Sequence, residues 1–279
     1  MGRKYTIGMY EKAIPDLPWK EKLEAAKEAG YDFVEISIDA SEEKISRVYM
    51  SKEERFELVR LMYETGMPIR TMNVSALTKY SLGDPDPEIE KRAVDIMIHA
   101  IELAEDLGVR IVMIPGYDIY FGESTPETQQ RFIKNLRYGT EIAAKHSVLL
   151  DMETMENDFM NTSWKGMYYV NMIDSLYLGL YPDVGNMKNA AVKIGCDSAD
   201  DLRSARGRIA ALHLKETKPG KFRDMMYGEG HVDFETMIKT AWSLGCRKYV
   251  TEFWYHGEEN WMERLVYGRK KMTDILDRQ

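Results

Sequence analysis

Short apolar runs rich in β-branched residues alternate along this chain with longer amphipathic stretches, and the alternation repeats eight times. The runs are YTIGMY (5–10), FVEISID (33–39), IRTMNVSA (69–76), RIVMIPGY (110–117), VLLDMET (148–154), YLGLYPDV (177–184), IAALHLKE (209–216) and KYVTEFWY (248–255). Each has the length of one strand, and the segments between them repeat apolar residues at helical spacing. PWKEKLEAAKEAG (18–30) and PEIEKRAVDIMIHAIELAEDLG (87–108) are the clearest helices. Both close on glycine, which takes the left-handed conformation that ends a helix.

Eight such units, spaced roughly 30 to 40 residues apart, predict an α/β fold: a closed (β/α)8 TIM barrel, one domain spanning residues 1–279. A doubly wound open sheet ordinarily has fewer strands and a glycine-rich phosphate turn after the first. Here MYEKAIPDLPW (9–19) follows the first strand, and no GxGxxG occurs. No low-complexity segment or Pro/Ser-rich linker divides the chain.

Composition narrows the function more than the fold. The chain has 279 residues, is 44% hydrophobic and 30% charged, and carries a net charge of −8. That balance argues against a nucleic-acid or membrane-surface partner, which would call for a basic face. Cys196 and Cys246 have no metal-type spacing and are expected to be free thiols. The first strand follows almost directly on the N-terminal residues, and no apolar run is long enough to span a membrane. The expectation is a cytoplasmic protein, with a homo-oligomer, a dimer first, as its state of assembly.

Chemistry in such barrels gathers at the C-terminal ends of the strands, and the last four strands are rich in it. The fifth ends near Glu153, the sixth near Asp183, the seventh near His213 and the eighth near Glu252. A lone glutamate at a strand end is ordinarily a solvated rim residue, and a lone histidine ordinarily a hydrogen-bonded structural one. Four candidate ligands on consecutive strands at matching depth point to a metal site. Three carboxylates aimed at one place repel unless a cation neutralises them. Oxygen ligands with one imidazole suit Mn, Zn, Co or Mg. Such a set leaves coordination positions open, so a substrate carbonyl can be polarised while a carboxylate takes a proton from the neighbouring carbon. Glu156 and Asn186, just beyond the ligands, are candidates for hydrogen bonds to substrate hydroxyls.

The stretches FVEISIDASEEKISR, SKEERFELVRLMYETG, GVRIVMIPGYDIYFGE, YPDVGN and above all HLKETKPGKFRDMMYGEGHVDF resemble the L-ribulose-5-phosphate 3-epimerases (L-xylulose-5-phosphate 3-epimerases) of the xylose isomerase-like barrel superfamily. The likeness runs over nearly the whole chain. It implies one divalent ion on Glu153, Asp183, His213 and Glu252. It also implies Glu153 and Glu252 as the acid/base pair that inverts C3 of a ketopentose 5-phosphate through an enediolate. One departure stands in the loop after the third strand, SALTKYSLGD (75–84). The resemblance leads one to expect a His-Arg pair where Leu77-Thr78 stand, proline at Ser81 and serine at Asp84; Lys79 and Tyr80 match. Lys79 is therefore a substrate-binding candidate, and an unphosphorylated or different sugar remains the alternative.

The loop after the seventh strand gathers Lys215, Lys218, Lys221 and Arg223 in an otherwise acidic chain. Phosphates in these barrels often sit on the loops after strands seven and eight. Lys218 and Arg223 are therefore the expected phosphate contacts, with Lys215 an active-site neighbour and Lys221 a solvated charge. A barrel endonuclease would need more than the five histidines present, and a barrel that served only as a scaffold should have lost one of the four strand-end ligands.

Overall fold

The computed structural model of the chain describes residues 4–279. Eight parallel strands form one sheet: β1 Thr6–Tyr10, β2 Phe33–Ser37, β3 Ile69–Asn73, β4 Ile111–Pro115, β5 Leu149–Glu153, β6 Leu178–Tyr181, β7 Leu212–Lys215 and β8 Lys248–Glu252. Their order is β6-β5-β4-β3-β2-β1-β8-β7. The ring is closed by parallel bridges between Leu180 and Ile209 and between Asp183 and His213. The expected barrel is therefore present, with every expected strand in sequence order.

Helices fill the connections: α1 Trp19–Glu28, α2 Glu42–Ser46, α3 Lys52–Thr65, α4 Pro87–Leu107, α5 Pro126–Lys145, α6 Ser163–Ile173, α7 Val184–Ile194, α8 Ser198–Arg203, α9 Phe234–Ser243 and α10 Trp261–Leu276. Their ends follow local chemistry. Asp86 caps α4 ahead of Pro87, and Gly108 closes it at φ 70°. Among the described residues, no helix is long and apolar enough to cross a membrane.

The two-residue period of a strand separates two cores. Tyr10, Phe33, Ile111, Met113, Tyr181, Ala211 and Val250 fill the barrel interior. The alternate positions, such as Ile7, Val34, Ile36, Val112, Leu150 and Leu212, join the apolar layer under the helices. Gly8 is required where it stands, because a Cβ there would run into the Phe33 ring.

The strands are shorter at their C-terminal ends than the apolar runs predict. After Asn73 the backbone turns into a 3-10 helix, Ser75–Thr78. After Tyr181 it turns at once into α7, with Asp183 as N-cap. The side chains that continue each interior row beyond the hydrogen-bonded ladder therefore project into the mouth of the barrel.

Candidate active site

A cavity of about 310 Å3 opens at that mouth. Its walls come from loops after β1 (Lys12), β2 (Asp39, Ser41), β3 (Ser75, Thr78), β4 (Tyr117, Tyr120), β5 (Glu156), β7 (Arg223) and β8 (Trp254), and its floor includes Glu153, Lys215 and Glu252. Glu153, Asp183, His213 and Glu252 converge there. One ligand atom from each lies within 4.8 Å of those of the other three, and all four residues are buried. Ligand atoms held at about 2.0–2.2 Å from an ion are up to about 4.4 Å apart across it, so the spread suits a single cation.

Each of the four is placed by its backbone. Glu153 is the last residue of β5 and Glu252 the last of β8. Asp183 caps α7: its Oδ1 accepts the Asn186 N–H at 2.6 Å, while Oδ2 is buried without a hydrogen bond of good geometry. The cap holds the carboxylate with one oxygen aimed inward. Gly185 allows it, since a Cβ there would strike Thr217 Cγ2 at 2.6 Å and the Lys215 carbonyl at 2.7 Å. His213 lies between carboxylates, with Nδ1 3.2 Å from Glu153 Oε1 and 3.0 Å from Glu252 Oε2. Its Nε2 is 2.7 Å from Glu35 Oε1.

The electrostatics are those of a crowded anionic site. Burial pushes the Glu153 carboxyl above its ordinary range against the pull of His213, with Glu252 adding repulsion. Asp183 is raised further for the same reason, and Lys215 only partly offsets the rise. Burial would also raise Glu252, but Lys215 and His213 hold it low. Burial alone would depress the Lys215 ammonium, yet Asp183, Glu252 and Glu153 hold it above its usual value. Its Nζ is 3.2 Å from Asp183 Oδ2 and 3.8 Å from Glu252 Oε2. Glu252 Oε2 and Asp183 Oδ2 both remain orphaned as hydrogen-bond acceptors. Buried carboxylate oxygens that make no hydrogen bond of good geometry, gathered beside one imidazole nitrogen, fit a divalent ion.

Around this cluster, the expected contacts divide. Glu156 and Arg223 both line the cavity, joined at 3.3 Å, with the guanidinium 5.9 Å from the Trp254 ring. Lys215 is a neighbour of the cluster, as expected. Three candidates fall elsewhere. Asn186 turns away: its Nδ2 donates to the Thr154 carbonyl at 2.8 Å, and its part in the site is the backbone N–H that steadies Asp183. Lys79 is half-exposed beside Glu42 at 3.4 Å, outside the cavity lining. Lys218 is exposed, because its backbone pairs with Lys221 in a tight turn. That turn is held from below by Glu216, whose carboxylate is buried and accepts the backbone N–H groups of Thr217 at 3.2 Å, Gly228 at 2.9 Å and Val232 at 3.1 Å. The loop is thus tied down on its acid, which leaves Arg223 as its one cation on the cavity wall besides Lys215.

Three other residues belong to the site. Lys12 lines the cavity with Asp39 at 2.9 Å. Asn73, at the end of β3, lines it with an unpartnered buried Oδ1. Glu35 lies beneath His213. Only the alternation of β2, which places Glu35 on the same face as Phe33 and Ser37, could have marked it as interior. Cys196 and Cys246 are free thiols. His231 sits against Thr217 at 3.3 Å and His256 against Asp224 at 3.0 Å, both away from the cluster.

A (β/α)8 barrel with a buried carboxylate–histidine cluster that could hold a metal ion, set under an open mouth, has the architecture of a barrel enzyme. Residues 23–271 match the family model described as "Xylose isomerase-like TIM barrel". The chain is 36% identical over 271 residues to the L-ribulose-5-phosphate 3-epimerase UlaE of Shigella sonnei (strain Ss046), covering 96% of this chain and 94% of that protein. It is 37% identical over 262 residues to the enzyme of the same name from Escherichia coli O139:H28 (strain E24377A / ETEC), covering 93% and 91%. A solved L-ribulose 3-epimerase superposes with a TM-score of 0.78 at 18% identity, over 98% of this chain and 95% of that one. The chain belongs to the xylose isomerase-like TIM barrel family and, within it, to the family of the L-ribulose-5-phosphate 3-epimerases. It is an enzyme of the isomerase class.

Proposed function

We propose that this protein is a divalent-metal-dependent 3-epimerase of a ketopentose 5-phosphate, interconverting L-ribulose 5-phosphate and L-xylulose 5-phosphate. The observation that carries the proposal is the convergence of Glu153, Asp183, His213 and Glu252 at the cavity floor, in a chain related over more than nine-tenths of its length to proteins named L-ribulose-5-phosphate 3-epimerase. Those four residues would hold one Mn, Zn, Co or Mg ion. When bound, the ion supplies Lewis-acid polarisation of the substrate oxygens.

The chain's own groups do the rest. Glu153 and Glu252 reach the site from β5 and β8, which suits a two-base inversion. One carboxylate takes the C3 proton, the C–H bonding pair becomes the C2–C3 double bond, and the C2 carbonyl π pair moves onto O2 to give an enediolate. The other glutamate returns a proton to C3 from the opposite face. Lys215, buried between Asp183 and Glu252, keeps a positive charge beside the developing oxyanion. Trp254, edge-on to Tyr10 with ring centres 6.1 Å apart, walls the site against water, and Asn73 Oδ1 is free to accept from a substrate hydroxyl. Arg223 and Lys12 are the cavity cations available to the phosphate end. A second reading, an unphosphorylated ketose, is favoured by one feature: Lys12 already pairs with Asp39 and Arg223 with Glu156.

The direct test is to strip the protein with a chelator, then assay C3 inversion of L-ribulose 5-phosphate before and after Mn2+ is returned. Lewis-acid stabilisation of several kcal/mol corresponds to roughly 100-fold or more in rate, so activity should fall by at least that factor and return. Undiminished activity in the stripped protein would rule the metal reading out.

A further inference from the structure

We infer that Glu35 is the positioning residue for His213, accepting its Nε2 hydrogen so that Nδ1 is the nitrogen offered to a metal ion. The inference rests on the metal-site reading above and goes beyond it by assigning a residue outside the ligand set.

Glu35 is a fully buried carboxylate in the middle of β2, where a leucine or methionine would fill the barrel without the cost of desolvating an acid. Both of its oxygens are engaged. Oε1 is 2.7 Å from His213 Nε2. Oε2 accepts from Thr71 Oγ1 at 2.7 Å and from Tyr181 OH at 2.9 Å. The donors come from β3 and β6, so the carboxylate is fixed from two sides and presents one free oxygen to the imidazole. A carboxylate oxygen only accepts, which places a ring hydrogen on Nε2; Nδ1, which faces the carboxylates of Glu153 and Glu252, is then the nitrogen whose hydrogen an ion would replace.

The opposite assignment fails on position. Nδ1 is the nitrogen facing Glu153 and Glu252, whereas an ion on Nε2 would sit against Glu35, on the far side of the ring from them. Tyr181 packs edge-on against the imidazole with ring centres 4.8 Å apart, which resists a ring flip. A histidine ligand whose second nitrogen donates to a carboxylate is the usual arrangement, and removing such a partner typically costs 10–100-fold in metal affinity.

The experiment measures the Zn2+ dissociation constant by competition with a fluorescent chelator, for the unsubstituted protein, Glu35→Gln and Thr71→Val. Glu35→Gln should weaken binding about 10- to 100-fold, and Thr71→Val by a smaller factor because Tyr181 still holds the carboxylate. In 15N-histidine spectra of the Zn2+-loaded unsubstituted protein, the His213 proton should be on Nε2. Equal affinity in Glu35→Gln and the unsubstituted protein, or a proton found on Nδ1, overturns the inference while leaving the metal site standing. No Zn2+ binding by the unsubstituted protein overturns both. If Glu35→Gln does not fold, Thr71→Val decides alone, and unchanged affinity there counts against the inference.

Discussion

At the scale of single residues, Glu153 and Glu252 carry the heaviest demand, since each is proposed both to hold the ion and to move a proton. They are not equivalent in the protein as it stands. Burial leaves Glu153 raised, while Lys215 and His213 hold Glu252 low. Replacing either with glutamine keeps an oxygen in place and removes the proton carrier. Loss of one acid/base group typically costs 10²–10⁴-fold, so kcat for each variant should fall by at least about 100-fold with the fold intact by circular dichroism. Two variants that both retain activity within tenfold of the unsubstituted enzyme would exclude the paired-carboxylate mechanism.

Among the elements, the β7–α9 loop shows what position along a chain does and does not reveal. Its cations are neighbours in sequence, but the backbone separates them: Lys215 faces inward at the end of β7, Arg223 reaches the cavity, and Lys218 turns to solvent. Arg223→Ala should raise KM for a phosphorylated ketose roughly 10- to 100-fold, as befits a lost hydrogen bond to a charged group of about 1.5–3 kcal/mol. The same change should affect the unphosphorylated sugar far less, and equal effects on both would remove Arg223 from phosphate binding.

The eight strands were legible because each apolar run is flanked by turn residues, and the four clustered side chains because each stands at or within two residues of a strand's C-terminal end, Glu153 and Glu252 closing β5 and β8, His213 within β7 and Asp183 just past β6. The ends of the runs were overread where a polar residue begins a new element, as Asp183 does in capping α7. Glu35 was illegible as a site residue because a charge inside an apolar run says nothing of what lies beneath it until the barrel closes. Lys12 and Asn73 were missed for a related reason. They become cavity residues only when the C-terminal ends of β1, β2 and β3 stand side by side.

On the scale of the whole molecule, the most demanding structural charge lies outside the cluster. Glu11, just after β1, is buried among Lys22 at 2.8 Å, Lys44 at 3.1 Å and Arg47 at 2.7 Å, and it accepts the Ser37 backbone N–H at 2.8 Å. The network joins α1 and α2 to the mouth of the barrel beside Lys12. Burial alone would raise the Glu11 carboxyl, but the Arg47 hydrogen bond and the three cations outweigh it and hold the group at about 2. A carboxyl whose folded value is depressed stabilises the protein fully above its unfolded value and loses that contribution as pH falls toward the folded one. The Glu11 contribution should therefore be complete above about pH 5 and vanish between about pH 4.5 and 2. Glu11→Gln leaves Arg47 without the carboxylate it pairs with, while Lys22 and Lys44 keep Asp16 at 2.6 and 3.1 Å, and should cost about 1–3 kcal/mol near neutrality. Urea unfolding of both proteins across this range should show the difference closing on acidification; a difference independent of pH would contradict the assignment.

On the proposed function, the cluster of Glu153, Asp183, His213 and Glu252 exchanges the hydrogen at C3 of a ketopentose 5-phosphate. The measurement that meets it most directly is proton NMR of L-xylulose 5-phosphate, with free L-xylulose in parallel, incubated in deuterated water with the Mn2+-loaded protein. Deuterium should appear at C3 of the phosphorylated sugar, together with its C3 epimer, with much slower exchange in the free sugar. Exchange at C1 without exchange at C3, or none at either carbon in both sugars, would contradict the proposed function.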